Sequence, residues 1–390
     1  MPRNISDREL EQKQQNLEYQ NGELRVFVAD ILPREFHLRE QMEDRMRELE
    51  NLVNTYGGIV ILEHIQNKSV PDYNTFIGEG RLDEIIEQMK LEKANVLILG
   101  NILKASQIYK INEKLKPIGA KAWDRVDLIL KIFERHAQSK EAKLQIELAS
   151  IKHMGPRIFD MGIELGKQGG KGRGETNTEI MKRHLQKRER AIKEELEHCA
   201  KVRAQHRQGR NRKGISTVGV VGYTNAGKST LTNALTKKGV LAEDKLFATL
   251  GTSVGKMFIE AKYNEVSGEY IPPREVLIND TIGFIRDLPP NLIDAFSSTL
   301  EDSIESDILL HVIDVSDPKA QIKIEVVNEI LEKIGAKQPR IHVLNKLDQI
   351  DEKSMLEELK GYLEEEEIVC ISAEKKDGLD DLKDIIIQHL

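Results

Sequence analysis

Eight residues, Gly222-Tyr-Thr-Asn-Ala-Gly-Lys-Ser229, follow the pattern G-x-x-x-x-G-K-[ST], with which a chain wraps a row of phosphates. Glycines let the backbone come close, and its N–H groups, with those of a following helix N-terminus, face the negative charge. In such a loop Lys228 bridges the β- and γ-phosphates and the Ser229 hydroxyl ligates Mg2+. The pattern arises by chance in about one chain in a hundred of this length. An apolar run, Ile215–Gly222, precedes it and a helical segment, Thr230–Thr236, follows, which is the setting that the chemistry requires.

A phosphate loop alone fits an ATPase, a kinase or a GTPase, so the base must be read elsewhere. Asn345-Lys-Leu-Asp348 closes the apolar run Ile341–Asn345. A carboxylate at Asp348 can accept from both the N1–H and the exocyclic amino group of guanine. Adenine has neither donor there and would leave the carboxylate unpaired in a desolvated pocket, at a cost of several kcal/mol. Alone the tetrapeptide reads equally as a surface turn; after a phosphate loop, in this order, it is specific. Asp280-Thr-Ile-Gly283 ends the run Val276–Asn279. That would place Asp280 on the metal through water and the Gly283 N–H on the γ-phosphate. Ser372-Ala-Glu374 can aim backbone N–H groups at guanine O6, although Ser372 also fits a plain helix N-cap. Each piece stands at a strand's C-terminal end, where open α/β sheets bind ligands.

The expected phosphate side of the site is Gly222, Tyr223, Thr224, Asn225, Ala226, Gly227, Lys228, Ser229 and Thr230 with Asp280, Thr281, Ile282 and Gly283. Lys228, Asp280 and Gly283 carry the catalytic roles. The base side is Asn345, Lys346, Leu347 and Asp348 with Ser372, Ala373 and Glu374.

These residues need a sheet behind them. Short apolar runs at Ile215–Gly222, Val276–Asp280, Ile308–Val315, Ile341–Asn345 and Ile368–Ser372, mostly separated by helical segments, predict a buried, mostly parallel sheet over 210–390. Residues 1–20 are polar and are expected to fray. Over 21–124 a helical period from Glu35 to Thr55 precedes alternating segments. Gly58–Leu62, Asn95–Leu99 and Ala120–Trp123 read as strands, Leu82–Leu91 and Ser106–Leu115 as helices, which predicts a small α/β domain. Over 125–209 one uninterrupted helix, Asp127–Lys152, and a second, Thr178–Arg207, flank seven glycines between Gly155 and Gly174. Glycine at that density predicts a loop over 155–174 and an antiparallel helical hairpin around it.

At this point the chain resembles the translation-factor-related GTPases, and among them the HflX family. The likeness covers nearly the whole length. In the nucleotide-binding part it rests on Gly222–Ser229, Phe247-Ala-Thr-Leu250, Asp280–Arg286, Leu309–Asp314 and Asn345–Asp348. In the N-terminal part it rests on Thr75-Phe-Ile-Gly78 with Gly80, on Lys143–Leu148 and on the glycine run into Gly174-Glu-Thr176. The resemblance implies an Mg2+-dependent GTPase switch with GTP as substrate. It adds Phe247, Ala248, Thr249, Leu250 and Gly251 to the site, with Thr249 beside Ser229 as a metal ligand and Thr252 as its rival. It also implies a partner, the large ribosomal subunit, with the N-terminal region toward ribosomal RNA, and the splitting or rescue of ribosomes stalled under stress. ATP binding by the N-terminal domain is reported among relatives, but no phosphate loop occurs there. Phe284 stands near where other GTPases carry a water-orienting glutamine, so hydrolysis is expected to be slow without a stimulating partner. Gly251 replaces an expected aspartate, and the glycine signature is short. The chain stops soon after Leu379–Leu390, so no extra C-terminal domain is expected.

Composition limits the alternatives. Lys and Arg total 58 against 65 Asp and Glu, a net charge of −7, which excludes a uniformly basic nucleic-acid coat. Between Lys182 and Lys213, however, twelve basic residues face four glutamates, a local +8 beside Lys167, Lys171 and Arg173 of the glycine run. Such a stripe can follow an RNA backbone; it can equally be the solvated face of a long helix. Two cysteines support no disulfide framework, and no apolar run suits a signal peptide or a membrane span. A cytoplasmic monomer without stable membrane insertion is expected. The rival readings are a regulatory GTPase that docks on a protein through the hairpin, and an ATP-using enzyme.

Overall fold

The structure, a computed structural model, describes residues 24–32, 38–68, 70–137, 139–166, 177–212, 214–236, 253–263, 270–281, 283–286, 292, 305–350, 353–363 and 367–390. They fall into two compact units, one drawn from Met1–Ile132 and Ser150–Gln186, the other from Phe133–Ala149 and Lys187–Leu390.

The first unit is built on four parallel strands, β1 (Leu24–Leu32), β2 (Gly58–Asn67), β3 (Val96–Leu99) and β4 (Lys121–Asp124), in the order β2-β1-β3-β4. Helices α1 (Leu38–Tyr56), α2 (Glu79–Leu91) and α3 (Ala105–Leu115) connect them. The residues Val-Leu-Ile-Leu of β3 are all buried, as expected of a strand covered on both faces. Phe27, Ala29 and Ile31 of β1 pack with Leu82, Ile85 and Met89 of α2 and Ile108, Ile111 and Leu115 of α3. The central strand β1 has no counterpart among the sequence expectations.

The helices that follow depart from expectation in two places. The single helix expected over Asp127–Lys152 is two, α4 (Arg125–His136) and α5 (Lys140–Gly166). Ser139 accounts for the restart: its Oγ accepts the Ala142 N–H at 3.0 Å, a cap that begins a new helix. The loop expected from Gly155 is also displaced, because α5 stays helical through Gly155 and Gly162 to Gly166; residues 167–176 lie outside the described set.

A buried ion network offsets the helical cost of those glycines, about 1 kcal/mol each. Asp124 and Asp127 cap α4 reciprocally, each accepting the other's N–H at 2.9 and 3.0 Å. His153 and Arg157, one turn apart on α5, reach into this cap. Arg157 donates to both Asp127 oxygens at 2.8 Å and to Asp124, which is fully buried. His153 Nε2 lies 3.4 Å from Asp124 and 3.2 Å from Asp127. Burial alone would raise the Asp127 carboxyl, but His153 and Arg157 outweigh it and hold it below the usual carboxylate range. Burial likewise depresses His153, yet the two carboxylates prevail and raise it to about 8.

In the second unit α5 and α6 (Asn177–Arg212) run antiparallel where ion pairs join them. Glu147 meets Arg188 at 2.6 Å, Glu141 meets Arg203, and Lys140 meets Glu195 at 2.6 Å. Two arginines of the +8 stripe, Arg188 and Arg203, therefore pair across the two helices.

The rest of this unit is a six-stranded sheet in the order β12-β11-β10-β5-β9-β6. Its strands are β5 (Ser216–Gly222), β6 (Ser253–Ile259), β9 (Arg274–Asp280), β10 (Ile308–Asp314), β11 (Arg340–Asn345) and β12 (Glu367–Cys370), with the short pair β7 (Lys262–Tyr263) and β8 (Tyr270–Ile271) apart. All neighbours are parallel except β6, which pairs antiparallel to β9, so the mostly parallel sheet is as expected. Helices α7 (Lys228–Leu235) and α10 (Leu379–Gln388) cover one face through Leu231, Leu235, Leu382 and Ile386. Helices α8 (Ala320–Lys333) and α9 (Lys353–Tyr362) pack through Ile324 and Leu359 against Ile313 and Leu344. The architecture is thus α/β in both units, with a long helical pair between the two sheets in sequence.

Removing Arg157 would leave two buried carboxylates without their main counter-charge. Arg157→Ala should destabilise the first unit by about 3–5 kcal/mol. Denaturant unfolding followed through the fluorescence of Trp123, the only tryptophan and the neighbour of Asp124, measures this. The contribution of His153 has a defined sign. Its folded pKa is raised, so it stabilises fully below about pH 6.5 and is lost as pH rises through about 8.

Candidate functional site

Four segments meet at the C-terminal ends of β5, β9, β11 and β12. The phosphate loop leaves β5 at Gly222 and enters α7 at Lys228, with Gly227 as the cap residue. Gly227 has φ +91, a left-handed conformation that L residues rarely adopt, and a Cβ there would collide with Asn345 Nδ2.

Asn345 occupies that space because it joins the halves of the site. Its Nδ2 donates to the Ala226 carbonyl at 2.9 Å, and its Oδ1 accepts the Ala373 N–H at 3.0 Å. The Ala373 N–H, expected to face guanine O6, is therefore engaged within the protein. The Ser372 hydroxyl donates to Asp348 Oδ1 at 2.6 Å. That bond is the main cause holding the Asp348 carboxyl below its ordinary value, so the group is a charged acceptor. Lys346 is left-handed at φ +68, and its Nζ pairs with Asp314 at 2.7 Å. Leu347 donates its N–H to the Ile371 carbonyl at 3.3 Å, and Glu374 is exposed.

On the phosphate side, Lys228 is buried and its Nζ donates to the Tyr223 carbonyl at 2.6 Å. Burial lowers its pKa to about 8, with Asp280 pulling the other way. Ser229 Oγ donates to Asp280 Oδ2 at 2.8 Å. A hydroxyl and a carboxylate oxygen so close are hard donors of the kind that suits Mg2+. Thr281 Oγ1 donates to the Val220 carbonyl at 2.7 Å, which anchors the start of the Asp280–Arg286 segment to β5. Further along, the Phe284 N–H reaches the Gly222 carbonyl at 3.0 Å and the Phe284 carbonyl accepts the Thr224 N–H at 2.8 Å. This short parallel pairing lays Gly283 against Lys228. A Cβ on Gly283 would lie 2.8 Å from Thr224 Cγ2 and 2.9 Å from Lys228 Nζ. Phe284 is 2% exposed, its ring in the core rather than in solution.

The structure thus brings together Gly222, Tyr223, Thr224, Ala226, Gly227, Lys228, Ser229, Asp280, Thr281, Gly283, Asn345, Lys346, Asp348, Ser372 and Ala373. Asn225 is exposed at φ +63 on the outside of the loop, and Thr230 continues α7. Phe247, Ala248, Thr249, Leu250, Gly251, the rival Thr252, Ile282, and the basic Lys167, Lys171 and Arg173 lie outside the described residues. The sequence reading missed Asp314, whose signal was its place at the end of an apolar run. Among the described residues one group elsewhere has metal-ligand spacing, Asp124, Asp127 and His153, with ligand atoms within 4.8 Å of one another. Arg157 already supplies the positive charge there, so a divalent cation would meet repulsion.

A phosphate loop, a charged carboxylate just after β11 and a second loop lying on the first are the arrangement of a P-loop GTPase. Comparison with known proteins agrees. Residues 217–346 match the family model described as 50S ribosome-binding GTPase. Residues 43–134 and 136–210 match the models for the GTP-binding GTPase N-terminal and middle regions. GTPase HflX of Caldanaerobacter subterraneus is 41% identical over 353 residues, which span 89% of this chain and 77% of that protein. GTPase HflX of Escherichia coli is 34% identical over 382 residues, spanning 95% and 84%. A crystal structure of SsGBP with GDP aligns at TM-score 0.52 and 28% identity over 93% of this chain and 98% of that one. The chain belongs to the HflX family of GTPases. It binds GTP and hydrolyses it, which sets aside the ATP-using alternative.

The contacts around Gly283 give a test. Gly283→Ala must push Lys228 or Thr224 aside. GTP hydrolysis should fall about tenfold or more, equivalent to ~1.4 kcal/mol or more of lost barrier lowering. GDP affinity, measured by calorimetry, should change much less.

Proposed function

We propose that this GTPase is an Mg2+-dependent switch that acts on the large ribosomal subunit, splitting or rescuing stalled ribosomes under stress. The observation that carries this reading is the kinship over most of the chain with HflX GTPases, together with the match of residues 217–346 to a 50S ribosome-binding GTPase.

In this reading the phosphate loop, Gly222 to Thr230, wraps the phosphates, and Lys228 moves its ammonium from the Tyr223 carbonyl to the β- and γ-phosphate oxygens. Ser229, Thr249 and Asp280 would hold Mg2+. The metal, when bound, offsets charge developing on the transferred phosphoryl group. The Gly283 N–H senses the γ-phosphate. Asp348, charged and oriented by Ser372, accepts from guanine N1–H and the amino group, and Asn345 holds the base half against the phosphate half. Because Phe284 is committed to the core, no side chain at that position orients the attacking water. Hydrolysis is then slow until the ribosome supplies what is missing.

The hairpin is the natural RNA contact. Arg188 and Arg203 are used within it, so the basic surface consists of the remaining residues of the stripe with Lys167, Lys171 and Arg173. Among the described residues no helix is long and apolar enough to cross a membrane, and we place the protein in the cytoplasm as a monomer. Docking on a protein partner through the hairpin is the second reading. RNase-insensitive binding with a shallow salt dependence would favour it.

Sedimentation with purified large subunits decides between them. With a non-hydrolysable GTP analogue the protein should pellet with the subunits, and the subunits should accelerate GTP turnover. If neither happens, the ribosomal reading is lost. Base choice is tested separately: Asp348→Asn should weaken GTP binding and shift preference toward xanthine nucleotides, and unchanged GTP affinity would remove Asp348 from the pocket.

A further inference from the structure

Tyr223 is the second residue of the phosphate loop, a position that the motif leaves open to any residue. Here it is 5% exposed and makes contacts that a generic loop residue does not need. Its hydroxyl accepts the backbone N–H of Arg286 at 3.0 Å. The Nζ of Lys323, from α8, stands 4.9 Å from the centre of its ring, and Lys323 also pairs with Asp317 in the loop before α8. Its carbonyl accepts Lys228 Nζ at 2.6 Å. Its backbone runs beside Phe284 in a parallel bridge, flanked by the bonds of Gly222 and Thr224 to Phe284. One side chain therefore holds the far end of the Gly283–Arg286 segment, while the same residue's carbonyl engages the lysine that meets the phosphates.

We propose that Tyr223 is a positioning residue for GTP hydrolysis. It fixes the segment from Gly283 to Arg286 against the phosphate loop at two points, the backbone bridge at Phe284 and the phenol at Arg286, so that the Gly283 N–H is held at a set distance from Lys228. The bridge at Phe284 sets one point of the segment, Ile285 is buried next to it, and the phenol adds a hold at Arg286 that limits pivoting about Phe284. The cation of Lys323 over the ring fixes the ring's plane, which ties the arrangement to α8. Tyr223 touches no phosphate in this role and acts through Gly283. The inference rests on Gly283 meeting the γ-phosphate. That reading fails on its own if Gly283→Ala turns over GTP as the wild type does.

The test is steady-state GTP hydrolysis by the full chain, with GDP affinity measured alongside as a check on folding. Tyr223→Phe keeps the ring and the Lys323 contact and removes the hydroxyl that accepts the Arg286 N–H. We expect kcat to fall about fivefold to tenfold, with KM and the GDP Kd within about twofold of wild type. Lys323→Met should lower kcat in the same direction by less. Amide exchange should report the cause directly. A peptide covering 281–286 should exchange faster in Tyr223→Phe, and one covering 216–222 should not. An unchanged kcat in Tyr223→Phe overturns the proposal. So does a parallel loss of GDP affinity, which would make the phenol a support of the loop alone.

Discussion

The hydrogen bond from Asn345 Nδ2 to the Ala226 carbonyl spans the two halves of the nucleotide site. Everything else in that site depends on the two halves keeping their distance. The phosphate loop spends two of its N–H groups on bracing, Thr224 to the Phe284 carbonyl and Ala226 to the Tyr223 carbonyl, and its carbonyls take side-chain donors from elsewhere. Asn345 supplies one such donor from β11 and Lys228 another from α7. The absence of a side chain at Gly227 is the condition for the first. Because Asn345 also accepts from Ala373, the turn after β12 is set by the same side chain. The site is a set of supports in which one side chain of β11 ties the phosphate loop to the turn after β12, and the first residue of α7 ties the loop to itself.

Charge is handled differently in the two units. In the first, opposite charges are buried together at the start of α4, where Arg157 and His153 meet Asp124 and Asp127. The low-dielectric surroundings make those pairs strong only while they are complete. In the second, the polar groups proposed to meet nucleotide and metal make modest bonds within the protein. Lys228 rests on a carbonyl, Ser229 on Asp280, and Ser372 on Asp348. Bonds of this kind contribute of the order of 1 kcal/mol net and can be exchanged for stronger ones to phosphate, metal or base. A permanent lock and a set of exchangeable contacts are thus made from the same residue types, and geometry decides which is which.

Much of this was legible in the sequence, and the boundary of legibility has a physical cause. The phosphate loop, Asp280–Gly283 and Asn345–Asp348 are short segments whose chemistry is local, so their spacing alone identifies them. The strands behind them are buried on both faces and read as apolar runs. The central strand β1 carries the same apolar signature, Val26 to Ala29, but the reading of the 21–124 domain starts at the helical period from Glu35, so no strand is assigned before it. The glycine run misled because propensity is a weak prior: Gly155 and Gly162 stay helical where His153 and Arg157 hold α5 by contacts with residues some thirty positions away. The same limit hid the bond from the Arg286 N–H to the Tyr223 hydroxyl and the contacts of Arg157 with Asp124 and Asp127. These depend on partners that only the folded chain brings near.

The register of the antiparallel edge strand has one more consequence. Ser253, the first residue of β6, pairs with Asp280, the last of β9. The threonines proposed or considered for the metal, Thr249 and Thr252, precede Ser253 by four residues and by one. Covalent geometry leashes them to the corner that holds Ser229 and Asp280, Thr249 by a span of at most ~14 Å. An edge strand that looks like a mere border of the sheet thereby limits how far from Ser229 and Asp280 those threonines can lie.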